Sequence, residues 1–210
     1  MQFAATYKEK EEFNQYWYSS ATIEYLAKEI LRSNPKCVAF LSTPSLYYAC
    51  EELQKDATFA ATSTPTFVLF DLDAALPRVV PYDFNDPTSF PGHAATEFEH
   101  AFDFVVIDPP FITEQVWTKY AESARHLLVP QGKLLLTTIG TIYIHYSSPP
   151  WTSFLILTHA AENHVFLDRL LSCTLRRYQP SIPHLVYQYG TYANYESVAL
   201  DQLNPEIPLE

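Results

Sequence analysis

The sequence predicts an α/β domain built on a mostly parallel sheet with helices on both faces. Three observations point there. The runs CVAFLS (37–42), TFVLFDLD (66–73), FDFVVIDPP (102–110) and KLLLTTIG (133–140) are apolar almost throughout rather than alternating, as strands covered on both sides are. Segments with helical spacing fall between these runs, which is the order of a parallel sheet with crossover helices. The chain is 48% hydrophobic and 15% aromatic over 210 residues, enough for one substantial core and incompatible with a disordered or collagen-like chain.

Residues 1–12 are polar and are read as a mobile N-terminus. In the stretch that follows, Ile23, Leu26, Ala27, Ile30 and Leu31 recur at helical spacing, with Ser20 as the expected N-cap and Asn34-Pro35 as the stop. CVAFLS is the first strand, and TPSLYYACEEL (43–53) turns into a helix. TFVLFDLD is the second strand. RVVPYDFNDP (78–87) is a third, broken by prolines. FDFVVIDPP is the fourth, stopped by Pro109 and Pro110. Thr113 is placed to cap a helix over 114–128, with Val116, Tyr120, Ala124, Leu127 and Leu128 on its inner face. Pro130 and Gly132 end that helix, and KLLLTTIG is the fifth strand. Residues 141–165, with Pro149-Pro150 and Trp151 between apolar runs, read as an insertion. LDRLLSCTLRRYQP reads as a helix or strand, LVYQYGTYANYES as a closing hairpin strand, and 198–210 as a tail. At ~100–200 residues per domain, residues 1–210 make one domain.

Composition excludes several functions. The four glycines, Gly92, Gly132, Gly140 and Gly190, are too far apart for a GxGxxG fingerprint or a Walker A loop. The 24 acids against 13 Lys and Arg leave a net charge of −11, and the only adjacent basic pair is Arg176-Arg177. Duplex binders gain affinity by neutralising phosphates, so a basic protein or a small molecule fits better than nucleic acid. The three cysteines lack zinc spacing and the seven histidines form no paired-ligand pattern, so no metal is expected. No GxSxG elbow marks a serine hydrolase. No apolar run reaches ~18 residues and the N-terminus lacks the apolar stretch of a signal peptide. A cytoplasmic protein without membrane contact is therefore expected.

Parallel sheets bind ligands at the carboxyl ends of their strands, which aligns Ser42, Asp71, Asp83 and Asp108 along one edge. The strongest local signal is Asp108-Pro109-Pro110-Phe111. Its prolines stop a strand and fix an extended turn. With an aromatic next, and after the fourth strand, it resembles the acceptor motif of S-adenosylmethionine-dependent amino-methyltransferases. Methyl transfer is an in-line displacement at a sulfonium carbon. The Asp108 carboxylate and the Pro109 carbonyl suit the task of accepting N–H bonds from the amine and fixing its lone pair. Phe111 suits a flat base or an alkylammonium stem. At the end of the second strand, Asp71 and Asp73 are candidates to accept hydrogen bonds from ribose hydroxyls. Asp83 and Asn85 are candidates to border adenine. Ser42-Thr43-Pro44-Ser45 stands where such enzymes place a glycine-rich loop.

The elements together resemble the eukaryotic elongation factor 1-alpha lysine methyltransferase 1 family, first labelled N6-adenine-specific DNA methyltransferase-like. Tyr16-Trp17-Tyr18-Ser19 matches its (Q)FWYS element, with Tyr16 where Phe is usual. The STPS loop, YDFNDP, FDFVVIDPPF and Tyr192-Ala193-Asn194-Tyr195 match further elements in the right order, over residues 11–197. Residues 92–100 and 141–165 look longer than the family's connections. The resemblance implies a class I S-adenosylmethionine-dependent methyltransferase (Rossmann-like) with a seven-stranded sheet whose last strand is antiparallel. It implies S-adenosylmethionine as cofactor, bordered by Ser42, Thr43, Pro44, Ser45, Asp71, Asp83 and Asp108. Trp17, Tyr18 and Ser19 would close over the cofactor or the lysine channel, and Asp108, Pro109, Pro110 and Phe111 would carry the acceptor. The implied activity is protein-lysine N-methylation, with elongation factor 1-alpha as the substrate. The alternatives are an N6-adenine methyltransferase acting on DNA or RNA, and an inactive methyltransferase-like binding module.

Overall fold

A computed structural model of the chain describes residues 3–56, 64–94, 96–141, 165–185 and 187–208. A short helix α1 (Phe3–Thr6) and a single 3-10 turn (Glu11–Phe13) precede α2 (Ser20–Arg32). There follow β1 (Cys37–Leu41), α3 (Pro44–Gln54), β2 (Thr66–Asp71), β3 (Val79–Pro81), β4 (Phe102–Ile107), α4 (Glu114–Leu127) and β5 (Leu128–Thr141). Residues 165–171 form a further helix, α5, before β6 (Thr174–Leu175) and β7 (Gln188–Ala193). The expected insertion at 141–165 lies, but for its two end residues, outside the described residues.

The strands form one seven-stranded sheet in the order β3-β2-β1-β4-β5-β7-β6. The pairs β1–β2, β1–β4, β2–β3 and β4–β5 are parallel. The last strand, β7, runs antiparallel between β5 and β6, as expected. The apolar runs predict strands because they are buried on both faces. Val38 and Phe40 face the core under α2 and α3, whereas Ala39 and Leu41 face the core under α4 and α5. Phe104 and Val106 against Val105 and Ile107 repeat the alternation one strand over.

Helix α2 buries Ile23, Leu26, Ala27, Ile30 and Leu31, the stripe that its spacing predicts. Its N-cap is Ser19 rather than Ser20: the Thr22 N–H donates to Ser19 Oγ at 3.0 Å. Thr113 caps α4 by accepting from the Val116 N–H at 3.3 Å.

Both ends of the chain pack on the α2–α3 side. Phe3 is buried against Trp17 with ring centroids 5.0 Å apart, and Lys10 Nζ pairs with Asp73 at 2.7 Å. At the other end Leu200 is fully buried, its carbonyl accepts from the Tyr178 N–H at 2.8 Å, and Tyr25 Oη donates to the Ala199 carbonyl at 2.7 Å. The sequence reading set both segments outside the core. Their few apolar residues carry no periodicity, so only the distant partners identify them as packed.

Candidate active site

Four loops leave the carboxyl ends of the parallel strands, and the strand ladders continue into them. The Ser42 N–H donates to the Phe70 carbonyl at 2.8 Å, the Tyr82 N–H to the Asp71 carbonyl at 3.0 Å, and the Asp108 N–H to the Leu41 carbonyl at 3.3 Å. These bonds fix the loop origins, so Ser42, Asp71, Asp83 and Asp108 open on one cleft. The cleft encloses about 910 Å³, its open mouth included.

The loop after β1 turns sharply at Ser42, which takes φ 55°. That left-handed conformation ordinarily selects glycine and costs a residue with a Cβ about 1–2 kcal/mol. Ser42 is held in it by its backbone bond and by its hydroxyl, 2.7 Å from Tyr120 Oη. Thr43, Pro44 and Ser45 follow along the cleft wall. Pro44 opens α3, at a position where a missing N–H costs nothing.

Asp71 is buried at the end of β2 and lines the cleft. Burial pushes its carboxyl up to about 6, against the Asp73 and Leu72 N–H groups, which favour the ionised form. Asp73 faces elsewhere: both its oxygens accept from Lys10 Nζ. Asp83 lines the cleft and is exposed. It accepts from the Asn85 N–H and side chain, each at 2.9 Å, so Asn85 orders Asp83 and is not itself part of the wall. Tyr82, Phe84 and Tyr120 complete this side. The Phe84 and Tyr120 rings stack at 5.8 Å.

On the opposite side Asp108 is pushed up to about 7 by burial, against hydrogen bonds from Tyr18 and Thr137. Tyr18 Oη donates to Asp108 Oδ2 and lies 2.6 Å from Thr137 Oγ1. Pro109 is buried, and the Pro110 carbonyl accepts from Asn14 Nδ2. Phe111 stands 51% exposed at the cleft, as does Tyr16 at 37%. Trp17 is buried and lines the cleft, with its indole N–H donating to the Tyr7 carbonyl at 3.1 Å.

Ser19 is not brought to the cleft. Its hydroxyl is taken by the α2 cap and by Glu206, because the chain has already turned into the helix. The sequence reading also missed Asn14, Gln15, Tyr120, Ile182 and Tyr189, all of which line the site. Only Asn14 offered a local signal: it adopts φ 52°, a conformation that Asn tolerates.

The cleft fits an adenosyl cofactor in its chemistry. Thr43 Oγ1 and Gln15 Oε1, both on cleft-lining residues, are buried without a hydrogen-bond partner among the described residues. Such groups are costly unless a ligand satisfies them. Among the described residues the wall carries four carboxyl side chains, on Glu12, Asp71, Asp83 and Asp108, and no Lys, Arg or His. Among the described residues no cluster of His, Cys, Asp or Glu is placed to hold a metal ion. No helix among them is long and apolar enough to cross a membrane.

The strand order, the antiparallel β7 and a cleft at the carboxyl edge define a class I S-adenosylmethionine methyltransferase fold. Solved structures agree at the level of fold. A Nostoc punctiforme "putative O-methyltransferase" matches with a TM-score of 0.52 at 11% identity, over 83% of this chain and 56% of its own. A Corynebacterium glutamicum protein matches with a TM-score of 0.50 at 11% identity, over 93% and 95%. The chain belongs to the family described as "Probable N6-adenine methyltransferase", whose sequence profile matches residues 9–197. Its relatives include EEF1A lysine methyltransferase 1 of Danio rerio, 28% identical over 88% of this chain and 97% of the relative. The Gallus gallus protein of that name is 33% identical over 60% of this chain and 57% of its own. Protein-lysine N-methyltransferase EFM5 of Saccharomyces cerevisiae is 32% identical over 59% and 50%.

Proposed function

We propose that this protein is an S-adenosylmethionine-dependent protein-lysine N-methyltransferase, acting as one domain in the cytoplasm on elongation factor 1-alpha. The observation that carries the substrate class is the cleft wall: among the described residues it has four carboxyl side chains and no cation. A lysine ammonium gains from such a wall, whereas a nucleic-acid strand needs cations along its phosphates. The net charge of −11 acts in the same direction for a basic target. The names of the lysine-methylating relatives supply the particular substrate.

Asp71, with the Ser42–Ser45 loop, would hold the ribose and amino-acid ends of the cofactor, and Asp83 would border its adenine. When bound, S-adenosylmethionine supplies a methyl group on a positively charged sulfur. Phe111 and Tyr16 offer aromatic faces to the four-carbon stem of lysine at the mouth. Asp108 captures the ammonium and, with the Pro109 carbonyl, accepts its N–H bonds. The ammonium must first lose a proton, which costs about 4.6 kcal/mol from a pKa of ~10.4 to pH 7. The partly desolvated channel lowers that cost, and water at the open mouth takes the proton away. Asp108 would then orient the neutral amine so that its lone pair is free to attack the methyl group that the cofactor supplies. The methylated amine would carry the positive charge away from the cofactor sulfur, and the carboxyl side chains of the wall would hold it as they held the ammonium.

The test is transfer of labelled methyl from S-adenosylmethionine, offered purified elongation factor 1-alpha, single-stranded DNA and RNA in parallel. Label is expected on the protein alone and should fall at least a hundredfold in Asp108→Ala. Label confined to nucleic acid would replace lysine with adenine as the acceptor.

A further inference from the structure

Building on the lysine reading above, we infer that Tyr18 is the positioning residue of Asp108. Its hydroxyl holds one oxygen of the carboxylate, fixes the orientation of the group and favours the form that accepts the amine N–H.

Tyr18 is buried where the chain enters α2, and its hydroxyl donates to Asp108 Oδ2. Thr137 on β5 completes the cluster, 2.6 Å from the Tyr18 oxygen, and favours the ionised Asp108 as Tyr18 does. The other titratable groups that act on Asp108 are phenols, Tyr189 on β7 and Tyr120 on α4. Burial raises each of these phenols, Tyr18 included, so all are neutral at working pH. Burial opposes ionisation of Asp108, and among the described residues no cation on the wall supports it. Hydroxyl donors are therefore what favours the charged form of this carboxylate against burial.

The ionised state matters to the chemistry. A carboxylate accepts the amine N–H and leaves the nitrogen lone pair pointing at the methyl group. A protonated Asp108 would instead offer its own O–H to that lone pair, the atom that has to attack.

The experiment is a carbon-detected titration of the Asp108 carboxyl in the full-length protein, wild type beside Tyr18→Phe, with thermal melts as the folding control. Asp108 should titrate about one pH unit higher in the variant. The acidic limb of kcat for methyl transfer to elongation factor 1-alpha should move by the same amount, with activity recovered at higher pH. A folded Tyr18→Phe whose Asp108 titrates as in wild type overturns the inference. Should Tyr18→Phe not fold, Thr137→Val answers the same question: a shift in the same direction supports the inference and an unmoved titration overturns it. A shifted titration in a protein that methylates no lysine acceptor sinks the lysine reading and leaves the hold on Asp108 standing. Normal lysine methylation with an unshifted titration sinks this inference alone.

Discussion

Tyr18 and Ser19 are neighbours in sequence and do different work. The Tyr18 side chain turns into the cleft, whereas the Ser19 hydroxyl caps α2 and pairs with Glu206. Ser19→Ala should therefore lower stability by about 1 kcal/mol, the usual cost of a lost N-cap, and leave S-adenosylmethionine affinity within twofold. Denaturant unfolding and calorimetric titration measure the two quantities, and a tenfold loss of affinity would return the hydroxyl to the site. Asp71 and Asp73 divide in the same way. The FDLD end of the strand marks both as candidates, but β2 ends at Asp71, and Lys10 takes up Asp73 in the turn beyond it. A motif read along the chain names a short stretch; which of its members faces the ligand depends on the cap, the strand end and partners far away in sequence.

The strands and long helices were legible because each carries its signal locally. The β1, β2, β4 and β5 runs are continuously apolar, and α2 and α4 repeat their buried residues at helical spacing. Of the predicted third strand, 78–87, the structure keeps Val79–Pro81, since a proline cannot donate to a ladder and Pro81 closes the pairing. The terminal segments were not legible. Leu200 is one of several apolar residues at 198–210 that carry no strand or helix spacing, and nothing nearby in sequence says that it is the buried one, beside the elements that carry Tyr25 and Tyr178. Leu200→Ala should cost about 2–4 kcal/mol, as a filled core position does. An unfolding midpoint consistent with less than about 1 kcal/mol would show the segment to be ornamental rather than structural.

Across the whole molecule, the buried carboxyls make stability depend on pH in an unusual direction. The ordinary aspartate value is 3.8, and burial raises Asp71 to about 6 and Asp108 to about 7. Between about pH 4 and pH 7 the folded protein therefore binds more protons at these sites than the unfolded chain does. Their contribution to stability is present below that window and is lost as pH rises through it. Asp108→Asn, which cannot ionise, should raise the thermal midpoint over wild type at about pH 8, with the gain vanishing toward about pH 4. A difference independent of pH would mean that Asp108 does not carry this cost. Comparing the variant with wild type also cancels the repulsion expected of a chain with net charge −11.

The sequence by itself determined the parallel sheet, its strand succession, the DPPF turn, the hydroxyl loop after β1 and the acidic balance of the chain. Each is a local pattern of residue size, polarity or backbone restriction, and those properties travel with the residues wherever they fold. The tertiary structure alone decided which of the marked residues meet. It brought Tyr18 and Thr137 to Asp108, Asn14 to the Pro110 carbonyl and Lys10 to Asp73, across separations of 90, 119, 96 and 63 residues for the Tyr18–Asp108, Tyr18–Thr137, Asn14–Pro110 and Lys10–Asp73 bonds. It also set the values of the two buried carboxyls. Contacts over such distances and the loss of water around a charge are properties of the packed chain, and no stretch of sequence holds them alone.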